Sequence, residues 1–355
     1  MLVYWLIWFF ICVFNFFGDY KSYINKFFYS IFLIFLMFFI GLRYEVGGDW
    51  KNYLAMYDLF DQIDFANSLI ISDPAYSLLN YISQYLEIKD TILVNFLCAL
   101  IICVFIALSS FKLKKYWLFL LLYYPYHILA VSLGYTRQAV AVSVVVYAFT
   151  FLFDAKNKKF IFFVLFAALF HKTSIVFLIF LPLTFLLNKK YLLYLYEFLS
   201  VIFILIVLYI SSTLEDNIYT NVDSEISSSG VFMRISMHFI PMIIYLLYRK
   251  SFFKQNLNYI YLDFFVVLIG MVTLLAIPFS TLADRFNLYL IFFDLLVITC
   301  SYGLLKKSNR VLLLFLLVIY FTAFIAIWIF YGEWAVKAWI PYQNYLTNYL
   351  FYWVI

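Results

Sequence analysis

The chain has 355 residues, of which 67% are hydrophobic and 12% charged, with a mean hydropathy of +0.99 and a net charge of +5. Soluble domains are about 45–50% apolar and about 25% charged, so this composition excludes one. The apolar runs are continuous, which also excludes an outer-membrane barrel, whose strands alternate apolar and polar residues over about 10 positions.

The first run, at 2–17, has no basic front and no small-residue cleavage site, so it reads as a retained helix and not as a signal peptide. Further runs follow at 27–42, 91–110, 116–133, 135–153, 160–171, 174–187, 191–210, 231–248, 259–279, 286–305 and 310–330. The expectation is an all-α polytopic membrane protein of about 12 spans, each long enough for about 30 Å of hydrocarbon. No internal repeat is visible, so residues 1–355 read as one transmembrane domain. Residues 43–90 form a large outer loop with short helices, and 211–230 a second outer loop. The runs at 160–171 and 174–187 are short. They are either two tight spans or a hairpin of shorter helices with its tip at His171-Lys172-Thr173-Ser174.

Alternate loops hold sixteen of the 24 lysines and arginines, among them Lys112, Lys114, Lys115, Lys156, Lys158, Lys159, Arg249 and Lys250. The other loops hold most of the acids, including Glu45, Asp49, Asp58, Asp61, Asp64 and Asp73. Basic loops stay in the cytoplasm, so the acidic loops and both termini are expected to face outward. The positive charge then belongs to the loops, and nucleic acid is not implied. The series Asp58, Asp61, Asp64 reads as a solvated helix face.

No phosphate-binding GxxxxGK[ST] loop and no GxGxxG after a strand occurs. Cys12, Cys98, Cys103 and Cys300 fall in apolar runs without a CxxC pair, and His127, His171 and His238 stand alone. No metal and no cofactor is expected.

Ionisable groups in or at the edge of spans each cost about 2.5–3.5 kcal/mol at mid-membrane, so they are candidates for function. Arg43 closes the second span, Arg137 opens the fifth within Gly134-Tyr135-Thr136-Arg137-Gln138, and His171 and Lys172 mark the hairpin tip. Asp284-Arg285 follow the tenth span, and Arg234 lies one turn into the ninth. All map to the outward side. Several guanidinium groups on one face suit a polyanion, because each fork grips phosphate oxygens in pairs. A lipid diphosphate with its head at the outer interface is the expected ligand. A single arginine near a helix end can also reach the headgroups and do nothing more, and Arg234 is the first candidate for that. Trp50, Trp334, Trp339 and Tyr342 stand in outer loops, where aromatic rings serve either as interfacial filling or as a sugar-stacking surface.

The segment Gly41-Leu42-Arg43-Tyr44-Glu45-Val46-Gly47-Gly48-Asp49-Trp50-Lys51-Asn52-Tyr53 resembles the opening signature of EpsG-like polysaccharide polymerases, a family that includes Wzy-type O-antigen polymerases. Three further islands fit: Thr136-Arg137-Gln138, Phe170-His171-Lys172-Thr173-Ser174, and Asp284-Arg285 with Tyr289. Ile340-Pro341-Tyr342 is similar to the family's C-terminal end.

The resemblance implies a GT-C-like bundle, that of metal-independent glycosyltransferases using polyprenyl phosphates. It implies joining of undecaprenyl-diphosphate-linked oligosaccharide repeat units on the periplasmic face of a bacterial inner membrane. Arg43, Arg137 and Arg285 would hold the diphosphate, with Gln138 and Tyr53 as supporting donors. His171 or Asp49 would be the base. A separate chain-length regulator is an implied partner, beside membrane lipids. The rivals are a flippase for the same lipid-linked unit and an O-antigen ligase. A membrane acyltransferase would need a deep histidine beside a carboxylate or asparagine, and the linear sequence displays no such pair.

Overall fold

A computed structural model describes residues 1–17, 22–88, 90–186, 189–212, 228, 230–254 and 259–347. Among the described residues the chain is helical throughout, without strands; a lone antiparallel bridge joins Arg43 to Asn344. Six helices among the described residues are long and apolar enough to cross a membrane: Tyr23–Gly41, Ile92–Leu113, Thr136–Phe153, Val231–Phe252, Ser280–Leu304 and Lys307–Tyr331. Four shorter apolar helices accompany them, Leu2–Phe17, Tyr116–Ser132, Tyr191–Phe203 and Tyr259–Leu275. Large apolar side chains such as Phe9, Phe27, Ile34, Leu247 and Leu274 are exposed along these helices, as lipid-facing positions require.

Part of the difference from about twelve spans lies at 160–187. Asn157–Ala168 is an α-helix of 12 residues, Lys172–Phe180 is a 3-10 helix of nine, and Leu183–Leu186 is a single turn. The first two each rise about 18 Å, short of the roughly 30 Å a crossing needs. Short helices broken at His171 describe the segment better than two full spans.

The chain divides into two compact units: residues 1–150, 160–175 and 305–355 in the first, 151–159 and 176–304 in the second. At the centre of the first unit, Tyr116–Tyr123 runs into Tyr124–Ser132, and every residue of both stretches is buried. Pro125 lacks an N–H, and the helix passes it in π-helical form, the widened turn that such a gap accommodates. Polar anchors pin this helix: Trp117 Nε1 donates to Asn25 Oδ1 at 2.8 Å, Asn15 Nδ2 to the Trp117 carbonyl at 2.9 Å, and Tyr124 hydroxyl to the Tyr4 carbonyl at 2.7 Å. Tyr23–Gly41 packs along Ile92–Leu113. At Gly41 an added Cβ would lie 2.9 Å from Phe96 Cα, so the missing side chain permits the close approach.

Residues 43–90 carry three helices, Trp50–Phe60, Phe65–Ile71 and Pro74–Tyr85. Asp58, Asp61 and Asp64 straddle the end of the first instead of sharing one face. Asp64 caps the second helix by accepting from Asn67 N at 2.8 Å. Of the second outer loop, residues 213–227 and 229 lie outside the described residues. In the second unit, Val231–Phe252 and Ser280–Leu304 are each interrupted by a 3-10 turn, at Ser236–His238 and Leu288–Leu290.

Candidate functional site

The sequence islands of the first unit meet in space. Gly47 adopts φ +118°, a conformation side chains resist, and a Cβ there would sit 2.1 Å from the Leu133 carbonyl oxygen. Its N–H donates to the Ala338 carbonyl at 2.7 Å, and the Asp49 N–H reaches the Gly134 carbonyl at 3.3 Å. A Cβ on Gly134 would lie 2.4 Å from Trp339 Cζ2. Two glycine-dependent approaches and two backbone hydrogen bonds therefore fasten the 47–49 loop, the entrance to Thr136–Phe153 and the C-terminal segment together.

Arg43 lies at the middle of this junction and is 1% exposed. Its guanidinium donates to the carbonyls of Ile40 (2.8 Å) and Val46 (3.2 Å), to Asn95 Oδ1 (3.0 Å) and to Thr136 Oγ1 (2.7 Å). On either side of the Arg43–Asn344 bridge, Tyr44 N donates to the Gln343 carbonyl at 3.0 Å and Tyr345 N to the Leu42 carbonyl at 2.8 Å. Four of the five guanidinium N–H groups are thus engaged by neutral protein acceptors. This geometry is that of a brace.

Arg137, in the first turn of the next helix, has the opposite surroundings. Its side chain is 29% exposed, and Nη1 donates to Asp73 Oδ2 at 3.1 Å and to Ser72 Oγ at 3.3 Å. The guanidinium also faces the rings of Tyr76 and Tyr53, 5.6 and 6.0 Å from their centroids. The Tyr53 hydroxyl lies against Arg137, and burial pushes it up to about 12. Gln138 is buried beside Arg137 in the same turn.

Asp73 is the residue that a sequence reading leaves among the loop acids. It precedes Pro74 at the start of a helix, the place of a capping aspartate, yet its side chain makes no cap bond. One oxygen takes Arg137 and the other accepts the Lys172 backbone N–H at 3.2 Å. Burial pushes its carboxyl above the usual range, against the pull of Arg137 and of that N–H. Next to Lys172, half-buried His171 has Nδ1 3.4 Å from the Thr173 hydroxyl. Through Asp73, the cation of one expected island is thus joined to the histidine turn of another.

Asp49 is half-buried at the start of Trp50–Phe60, with Asn52 Nδ2 3.4 Å from its Oδ1. Trp50 and Trp339 are buried in the protein, so of the four outer-loop aromatics Trp334 is the one largely exposed.

Arg285 belongs to the second unit, half-buried in the last turn of Ser280–Asn287. Its neighbour Asp284 pairs with Arg234, Nε to Oδ1 at 2.6 Å, and Ser228 Oγ donates to Asp284 Oδ2 at 3.1 Å. Arg234 therefore holds an ion pair instead of reaching freely to the headgroups. Deeper in the same helices, His238 Nδ1 lies 2.7 Å from Asp294 Oδ2 and its Nε2 3.0 Å from Asn287 Oδ1, all three buried. The expectation that no histidine has a carboxylate or asparagine beside it is corrected here. The partners stand 56 and 49 positions away, beyond any local motif. With Nε2 turned to Asn287, the ring has no nitrogen open to a substrate, and the network ties two helices.

Among the described residues, no three His, Cys, Asp or Glu side chains gather in a way that could hold a metal ion. In comparisons with known proteins, the sequence model of the EpsG family matches residues 26–344. No curated protein and no solved structure matches the chain.

Proposed function

Because the chain belongs to the EpsG family of Wzy-type polymerase-like membrane proteins, we propose that it is a glycosyltransferase that polymerises undecaprenyl-diphosphate-linked oligosaccharides. The observation that carries this reading is the half-exposed Arg137 joined through Asp73 to the turn of His171. A phosphate-gripping fork and a titratable imidazole are the two groups such a transfer needs within one site.

In the step itself, an acceptor sugar hydroxyl attacks the anomeric carbon of the donor glycan. The new C–O bond forms as the bond to the diphosphate breaks, and the diphosphate leaves with the electron pair. Arg137 meets the charge that grows on it. The hydroxyl proton passes to His171. A neutral imidazole can accept a proton near pH 7. In this reading Arg43 braces the junction from which Arg137 projects. Asp49 is the alternative base. Tyr53 and Gln138 support the Arg137 turn.

The alternation of basic and acidic loops supports an active site on the periplasmic face of an inner membrane. A flippase for the same lipid is the second reading, since it too needs cations for the diphosphate. The test is purified protein with synthetic lipid-diphosphate repeat units in detergent, with EDTA and no nucleotide. A ladder of products is expected. Transbilayer movement of the lipid in vesicles without any ladder would replace the polymerase by the flippase.

A further inference from the structure

Asp73 departs from what its position in the chain prepares it for. An aspartate before a proline that opens a helix ordinarily turns its carboxylate back onto the helix's own amides. Here that bond is missing, and the two oxygens reach partners 64 and 99 positions away. The Asp73 side chain is 8% exposed, Arg137 is 29% exposed, and the rings of Tyr53 and Tyr76 flank the guanidinium. Asp73 is thus a fixed anion at one corner of a cation that remains partly open.

Carboxylates and phosphates bind a guanidinium fork through the same paired geometry. An anion already on Nη1 competes with any phosphate that approaches the fork. It also stabilises the cation when no ligand is present, since a half-buried charge left unpaired is unfavourable. We propose that Asp73 is an internal stand-in for phosphate, which shares Arg137 with the substrate's diphosphate and favours departure of the spent carrier. The inference rests on the polymerase reading above. It makes Asp73 a positioning residue that acts through Arg137, while its second oxygen holds the backbone of the His171 turn.

Asp73→Asn separates these two duties. The amide oxygen still accepts the Lys172 N–H, while an amide group offers Arg137 no charge. The measurements are KM and kcat for the lipid-diphosphate repeat unit, and inhibition by inorganic pyrophosphate. In Asp73→Asn, KM and the pyrophosphate inhibition constant fall about two- to fivefold, the scale of a partly exposed charge pair. The value of kcat falls with them, because release slows. Asp73→Glu returns all three toward wild type. A variant that merely loosened the fold would raise KM and weaken pyrophosphate inhibition. Unchanged or weaker pyrophosphate inhibition in Asp73→Asn overturns the proposal. Should that variant not fold, Asp73→Ser poses the same question with the same criterion. If Arg137→Ala abolishes the ladder and Asp73→Asn leaves KM and inhibition alone, this inference fails and the polymerase reading stands. A normal ladder from Arg137→Ala removes the site on which both rest.

Discussion

Arg43 Nη2 donates to Thr136 Oγ1 at 2.7 Å, across 93 positions of the chain. The next residue, Arg137, turns its own guanidinium the other way, to Asp73. Two arginines of similar appearance in the sequence thus meet around one helix entrance with opposite surroundings. One is 1% exposed among neutral acceptors, the other 29% exposed beside an acid.

Arg43→Lys is expected to destabilise the protein, because a single ammonium cannot replace a fork that serves four acceptors. Leaving several buried acceptors unpaired costs about 3 kcal/mol or more. Melting in detergent checks this. A variant that melts like wild type but makes no polymer would turn Arg43 back into a ligand.

Gly47→Ala should be as damaging. Its φ of +118° disfavours any side chain, and the methyl group would fall on the Leu133 carbonyl. The expected outcome is loss of folded protein, read by size-exclusion chromatography of the detergent-solubilised chain. A well-folded, active Gly47→Ala protein would contradict the packing of this loop.

The His238–Asp294 pair yields a double-mutant cycle. Removing one partner of a buried hydrogen-bonded pair leaves the other unsatisfied and costs about 1–3 kcal/mol, whereas replacing both by apolar residues is much milder. His238→Leu and Asp294→Leu should each lower the melting temperature more than the double variant does. Additive losses would mean that the two side chains do not act as a pair.

His171→Ala should reduce kcat by about 100-fold or more, the usual scale for a lost general base, with little change in KM. Asp49→Ala would then have a smaller effect on kcat. The reverse order would give the base to Asp49.

The helices were legible because apolar runs long enough to span a bilayer have few other destinations. Segment 160–187 was harder, since hydropathy does not distinguish an α-helix from the 3-10 helix Lys172–Phe180. Arg43 and Arg137 were both visible as charges out of place. Their roles were not, because Arg43's acceptors come from three separated stretches of chain, at 40–46, 95 and 136. The role of Asp73 is hidden for a local reason: before Pro74 it has the position of a cap, and only the fold diverts its carboxylate. His238 and Asp294 sit on different helices, where no spacing rule could join them.

The central claim is that Arg137 grips the diphosphate while the fold stands without it. Purified Arg137→Ala, compared with wild type for melting in detergent and for polymer formation from lipid-diphosphate repeat units, tests it most directly. The expected result is a protein that still folds, with a melting temperature lowered because buried Asp73 loses its cation, and a loss of ladder of about 100-fold or more. A wild-type ladder from a well-folded Arg137→Ala protein would contradict it.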